Sequence, residues 1–94
     1  MTDDALDARL KELAEAERAA QAEQLALLAE FDRRGLPEAS GCSGLYEYCV
    51  KDLGLGESAA YERVRAARAA GRWPQVAEDF RERRLSLAAV CVLA

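Results

Sequence analysis

The sequence predicts an all-α protein, a small helical bundle with a long N-terminal helix and a central pair of helices resembling a helix-turn-helix. The 94 residues include only two prolines and six glycines, and β-branched residues are sparse. Residues 1–34 contain neither proline nor glycine. Apolar residues make up 51% of the chain, and many are alanine, the strongest helix former, which lets helices pack closely. This length supports one domain near the lower limit for a well-buried core.

Residues 1–34 are predicted to form the long helix. Thr2 or Asp3 provides its N-cap, and Gly35 followed by Pro37 ends it. At 1.5 Å per residue this helix is roughly 45–50 Å long. A compact domain of this size does not need such a length, so residues 25–31 are expected to pack on the downstream helices while the first half projects.

An apolar series in this helix indicates a possible dimerisation arm. Leu6, Leu13, Ala20 and Leu27 recur at a seven-residue interval. Glu17 and Gln24 interrupt the companion series that Leu10 begins, so the signal for a sustained coiled coil is weak. The alternative is a solvated Ala/Glu-rich helix that frays at its start.

Residues 35–44, GLPEASGCSG, are predicted to be a linker, and residues 45–94 a helical domain. Ser43 is expected to cap the next helix, over residues 44–53. Gly54 supplies a positive φ in the turn that follows. After the central pair, a helix over residues 74–84 and an apolar segment capped by Ser86 complete the chain.

The second helix of the central pair is predicted from Gly56 or Glu57 to about Ala70, with Gly71 as its end. One of its stripes is apolar: Ala60, Val64 and Ala67, spaced for packing on a core. A second stripe lies about 100° round the helix: Tyr61, Arg65, Arg68 and Arg72. Arginine on this surface stripe is suited to phosphate or base edges.

The sequence therefore predicts a DNA-binding surface. Its candidate residues are Lys51, Ser58, Tyr61, Glu62, Arg63, Arg65, Arg68 and Arg72. The four arginines would contact phosphates, Lys51 would touch the backbone from the first helix of the pair, and Ser58, Tyr61 and Glu62 would lie nearest the bases. In the competing interpretation the arginines only solubilise a packing helix. Glu62 favours that interpretation, because a carboxylate repels phosphate unless it accepts from a cytosine amino group.

Charge restricts where nucleic acid could bind. The net charge is −4, with 11 acids and 5 bases in residues 1–47 against 6 acids and 8 bases in residues 48–94. An acidic chain is a poor general polyanion binder. Any contact with DNA must come from the second half of the chain, and it should depend strongly on salt.

Several function classes find no support in the residues. The chain has no histidine, no nucleophile beside a base and no glycine-rich phosphate loop, so we predict neither an enzyme nor a cofactor. Cys42, Cys49 and Cys91 form no CxxC pair, which argues against zinc. An odd cysteine count without a signal peptide indicates a reducing cytoplasm, and no apolar run is long enough to span a bilayer.

A family resemblance rests on three stretches of residues 25–94: LALLAEFDRRGL, then GLYEYCVKDLGLGESAAYERVRAARAAGRWP, then RLSLAAVCVLA. Together they resemble a region N-terminal to HNH-type nuclease domains in long bacterial proteins. The resemblance implies a helical accessory or DNA-engaging module without the nuclease domain, whose catalytic part requires histidine. Relatives often have serine where this chain has Gly56, a less defined helix cap.

Two hypotheses follow. The first is a non-catalytic DNA-binding module. The second is a protein-interaction or homodimerisation module, associating through the N-terminal helix or the apolar C-terminal segment, with no nucleic-acid contact. The two are compatible, since helix-turn-helix proteins often bind DNA as dimers.

Overall fold

The computed structural model describes residues 1–94 and confirms the all-α prediction, with 76% of the chain helical and no strand. Six helices follow one another: α1 Asp3–Arg33, α2 Leu36–Ala39, α3 Leu45–Lys51, α4 Glu57–Arg72, α5 Gln75–Arg81 and α6 Leu87–Val92. None of them combines the length and the apolar character that crossing a membrane requires.

Helix α1 is the long N-terminal helix. The Thr2 hydroxyl accepts from the backbone N–H of Ala5 at 3.1 Å, which confirms it as the N-cap. Thirty-one residues give a helix of about 46 Å, close to the 49 Å longest extent of the molecule. Every residue from Met1 to Glu17 is exposed, whereas Ala22, Leu25 and Leu28 are buried. The buried contacts of α1 with the bundle thus come from its second half.

The predicted linker contains a helix. Gly35 leaves α1 in the left-handed conformation with φ 69°, and Leu36–Ala39 then form α2. Pro37 lies in the first turn, where the missing N–H of proline costs nothing, and its ring is buried. Counting glycine, serine and proline in this stretch indicated irregular backbone, but the burial of one proline ring favours an ordered helical turn.

Helices α3 and α4 form the expected consecutive pair, joined by residues 52–56. Gly54 has φ 71°, as predicted for the turn. Leu55 is half-buried against the apolar cluster between α3 and α4. The expected Ser43 cap is wrong: Gly44 is the N-cap of α3, and the Ser43 hydroxyl instead hydrogen-bonds the Glu47 carboxylate at 3.1 Å.

Helix α4 occupies the centre of the bundle and packs on α1, α3, α5 and α6. Two apolar clusters meet along it. The first contains Ala22, Leu25, Ala66, Ala69, Ala70, Val76, Phe80 and Val90. The second contains Leu28, Leu45, Cys49, Ala60, Val64 and Ala67. The predicted apolar stripe of α4 is therefore buried, and Ala66, Ala69 and Ala70 widen it.

Gly71 does not end α4, contrary to the prediction, because the helix continues to Arg72. A Cβ built on Gly71 would lie 3.1 Å from the Cβ of Ala29 in α1. That separation is tighter than ordinary van der Waals contact. The glycine therefore serves the close approach of α4 to α1 rather than a helix stop.

The last two helices close one end of the bundle. Val76 and Phe80 of α5 and Val90 of α6 are buried in the first cluster. The Ser86 hydroxyl accepts from the N–H of Ala89 at 3.1 Å and caps α6 as predicted. Val92 remains 80% exposed, so the apolar C-terminal segment is only partly covered.

We expect Ala67→Leu to destabilise the protein by about 1–3 kcal/mol, because Ala67 is fully buried where α4 packs and a larger side chain overfills the core. For a domain of this size each kcal/mol lowers Tm by about 4–8 °C. Urea and thermal unfolding followed by circular dichroism measure the change. Ala88→Leu on the exposed side of α6 is the matched control; equal stability of the two variants would contradict the packing described for α4.

Candidate nucleic-acid interface

The exposed face of α4 is a narrow stripe between the helices that cover the rest of its surface. We define the arginine ridge as Tyr61, Arg65, Arg68 and Arg72. Tyr61 is 59% exposed; Arg68 and Arg72 are exposed and Arg65 is half-buried. The ridge coincides with the stripe that the sequence predicted for the surface.

No carboxylate lies within 4.0 Å of any guanidinium of the ridge, whereas most other cations are paired. The ion pairs join Arg9 with Glu12, Lys11 with Asp7, Arg33 and Arg34 with Glu30, Lys51 with Glu47, Arg83 with Glu15, and Arg84 with Asp79. The charge of the ridge is thus not neutralised by a direct carboxylate partner.

Arg65 is held in place by two contacts. Its Nη2 donates to the carbonyl oxygen of Cys91 at 3.0 Å, which ties α4 to α6. Its guanidinium carbon lies 5.8 Å from the centre of the Tyr61 ring, within the range of a cation–π interaction. Arg65 is therefore partly structural, and Arg68 and Arg72 are the freer cations of the ridge.

Arg72 has an aromatic neighbour, Trp73, immediately after it in the chain. The guanidinium carbon of Arg72 lies 5.0 Å from the centre of the Trp73 ring, and Trp73 is 41% exposed. An arginine stacked on an indole keeps its edge N–H groups free for hydrogen bonding. Trp73 thus lies at the edge of the ridge. The adjacency of Arg72 and Trp73 in the sequence is the feature from which this contact could have been predicted.

Glu62 lies beside the ridge and is half-buried. Its backbone carbonyl accepts from the Cys91 thiol at 3.4 Å. Burial chiefly raises the pKa of the Cys91 thiol, the Glu62 carboxylate adds to that rise, and nearby Arg65 opposes it. The carboxylate of Glu62 is therefore near α6, whereas Glu57 and Ser58 are exposed in the first turn of α4.

Two predicted contact residues lie apart from the ridge. Arg63 is turned toward α1, where its Nη1 donates to the Gln24 side-chain oxygen, and its Nε is buried without a hydrogen-bond partner. Lys51 is exposed on α3 and is paired with Glu47 at 3.3 Å. That hydrogen bond, with a second from Ser43, holds the pKa of Glu47 below its usual range. Arg63 was predicted together with Arg65, Arg68 and Arg72, but it lies about 200° round α4 from Arg65 and is therefore not on the ridge.

The three cysteines are free thiols. Cys42 and Cys49 are buried and Cys91 is half-buried. Burial is the main cause that raises the pKa of each thiol above its usual value. Nowhere do three or more cysteine, aspartate or glutamate side chains come together in an arrangement that could hold a metal ion.

Comparisons with protein-family models, curated proteins and solved structures give no match to this chain. The residues and their geometry are therefore the basis for a functional proposal.

Thiol reactivity tests the burial of the cysteines on α3 and α6. We expect Cys49 to react slowest with Ellman's reagent in the native protein and Cys91 faster, because raised pKa values and burial limit the reactive thiolate. All three thiols should react in denaturant. Mass mapping of the modified sites identifies the order, and rapid native modification of Cys49 would contradict the burial described for α3.

Proposed function

We propose that this chain is a non-catalytic helical module that binds nucleic acid through the arginine ridge. The observation that supports the proposal is the accessible cationic face of α4, where Arg68 and Arg72 are exposed and have no carboxylate partner. A guanidinium binds a phosphate through two parallel N–H donors, so unpaired arginines spaced along one helix face suit a phosphate backbone.

The proposed mode of binding follows from the position of the ridge on the one solvent-exposed face of α4. Helix α4 is the second helix of the α3–α4 pair and corresponds to the recognition helix of a helix-turn-helix. If it enters the major groove of DNA, Ser58 and Tyr61 lie at its N-terminal part, where base contacts are made. Arg68 and Arg72 lie further along and reach phosphates, while Arg72 remains supported by Trp73.

The overall charge makes this binding modest. The net charge of −4 repels a polyanion at long range. Short-range contacts at the ridge are screened by added salt. Affinity for a duplex should therefore be low for one copy and should fall as salt rises.

The proposed setting is the cytoplasm, because three unpaired thiols suit a reducing compartment. The resemblance to the region preceding HNH nuclease domains in bacterial proteins agrees with an accessory role next to a nuclease, in which the ridge would hold substrate DNA. No step of nuclease chemistry is assigned to this chain.

The second candidate function is protein interaction or homodimerisation without nucleic-acid contact. The exposed leucines of α1 and the 80% exposed Val92 of α6 favour it. In this function the arginines of the ridge keep the α4 surface hydrated. Both functions can reside in one molecule because their surfaces are on different helices.

We expect Arg68→Met with Arg72→Met to weaken binding to a random-sequence duplex and to reduce the slope of log affinity against log salt by about 2, since each lost phosphate contact removes about 0.9 from the slope. Fluorescence anisotropy titrations at a series of salt concentrations measure both quantities. Methionine retains length and apolar packing while removing the charge.

Arg63→Met is the matched control, because it removes one charge from the same helix at a position that faces α1. Its duplex affinity should remain close to that of the unaltered protein. Equal losses from the Arg63 variant and the ridge variant would show a general charge effect and would contradict binding at the ridge. If the unaltered protein does not bind a duplex, the nucleic-acid-binding function is rejected and protein interaction is the remaining candidate.

A further inference from the structure

The projecting half of α1 has leucines with nothing to pack against. Leu6 and Leu13 are about half exposed and Leu10 is 65% exposed. Most of the stability of a helix in a protein comes from packing of its apolar face, which this half of α1 lacks. Leu27 continues the series on the second half of α1 and is 60% exposed, although Leu25, two residues earlier, is fully buried.

An apolar groove lies beside Leu27. Its volume is about 390 Å³, and it is bordered by α1 and α3. Its main apolar lining is Ala20, Leu27, Leu28, Phe31, Tyr48 and Leu53. The rings of Phe31 and Tyr48 pack together with centres 4.4 Å apart and form its wall. Leu53, which also lines the groove, is exposed beyond the end of α3.

The groove and the buried side of α1 are different faces of the helix. Leu27 lies about 200° round the helix from Leu25. Helix α4 covers the Leu25 side, so the groove side remains open to a further helix. The exposed leucines and the groove therefore lie on one face of α1, which we call the leucine seam: Leu6, Leu10, Leu13, Ala20, Leu27 and Phe31. Glu17 and Gln24 interrupt its apolar surface, and Glu23 and Gln24 also line the groove.

We propose that the leucine seam binds a second copy of this chain, with the two α1 helices antiparallel and the projecting half of each seated in the groove of the other. This inference develops the self-association function and is independent of the arginine ridge. In the register that best pairs large side chains, Leu6 of one copy meets Phe31 of the other. Leu10 then meets Leu27, and Leu13 meets Gln24.

Charge favours the antiparallel direction. Residues 1–17 of α1 contain six acids and two bases, whereas residues 18–34 contain three of each. A parallel pair would place the two acidic halves and the two like helix ends together. The antiparallel pair places the acidic start of one helix beside Arg33 and Arg34 of the other. Both arginines are exposed at the end of α1 and share a single carboxylate partner, Glu30, which leaves a net positive charge there.

Reciprocity favours a second copy over an unrelated helix. Each chain carries both parts of the contact, a projecting apolar half and a groove bordered by packed residues. A two-fold axis across the middle of α1 satisfies both at once and leaves neither part unused. Glu17 then lies opposite the small Ala20 of the other copy, where its carboxylate has space to reach solvent.

The first test compares Leu10→Glu with Ala8→Glu by sedimentation equilibrium of the full chain. Leu10 is in the seam, and Ala8 is exposed on the opposite side of the same helix. The proposed dimer contains the Leu10–Leu27 contact twice, so Leu10→Glu should raise its dissociation constant by at least about 100-fold. Ala8→Glu adds the same charge and should leave the dissociation constant nearly unchanged.

The second test determines direction and register. Chains with Leu10→Cys and chains with Leu27→Cys are prepared separately and oxidised alone or after mixing. The antiparallel dimer brings positions 10 and 27 of different copies together, so only the mixture should give a covalent dimer. The unaltered chain, whose own cysteines are buried or half-buried, is the control for background oxidation.

Each other outcome overturns the proposal. If the chain sediments as a monomer at high micromolar concentration, the proposed dimer is rejected. Cross-linking of the Leu10→Cys chains alone shows a parallel pair. A dimer weakened by Val92→Glu and unaffected by Leu10→Glu uses the C-terminal face. Duplex binding is measured separately on the Arg68 and Arg72 variants, so loss of the dimer and loss of nucleic-acid binding are distinguishable.

Discussion

The close approach of α4 to its neighbours is the constraint on which the rest of the structure depends. Five alanines and a valine on α4 are buried, and these side chains are short, so the surrounding helices come near its backbone. Four helices pack around α4 and leave it a single narrow face in solvent. The arginines on that face contact a carbonyl oxygen and aromatic rings but no carboxylate, and this is why the arginine ridge keeps its charge at the surface.

The sequence predicted what depends on periodicity and local chemistry. Apolar spacing in α4 identified Ala60, Val64 and Ala67 as core residues, and the hydroxyls of Thr2 and Ser86 identified two helix starts. It could not predict features that depend on distant residues. Glycine commonly ends a helix, so the sequence predicted a stop at Gly71. The closeness of Ala29 in α1, which leaves little room for a side chain, explains why a glycine lies inside α4 instead. Arg63 resembled the other arginines until α1 and Gln24 determined which way it points.

The acidic side chains of this chain lie mostly on helices other than α4. Carboxylates on α1, α3 and α5 form ion pairs with basic side chains about one turn away or across the bundle. Hydrogen bonds from Arg33 and Arg34 lower the pKa of Glu30 to about 2. Along α4 the one half-buried acid beside the ridge, Glu62, lies near Cys91 and α6. The acidic net charge and the cationic ridge are thus compatible, because the acids are mostly on other helices.

Both apolar clusters contain residues of α1 and α4. Helix α1 contributes Ala22 and Leu25 to one and Leu28 to the other, and α4 contributes three residues to each. Separating α1 from α4 would therefore disrupt both clusters at once. The bundle should therefore unfold in one cooperative transition, and slow amide hydrogen exchange should extend along the facing parts of these two helices while the first turns of α1 exchange early.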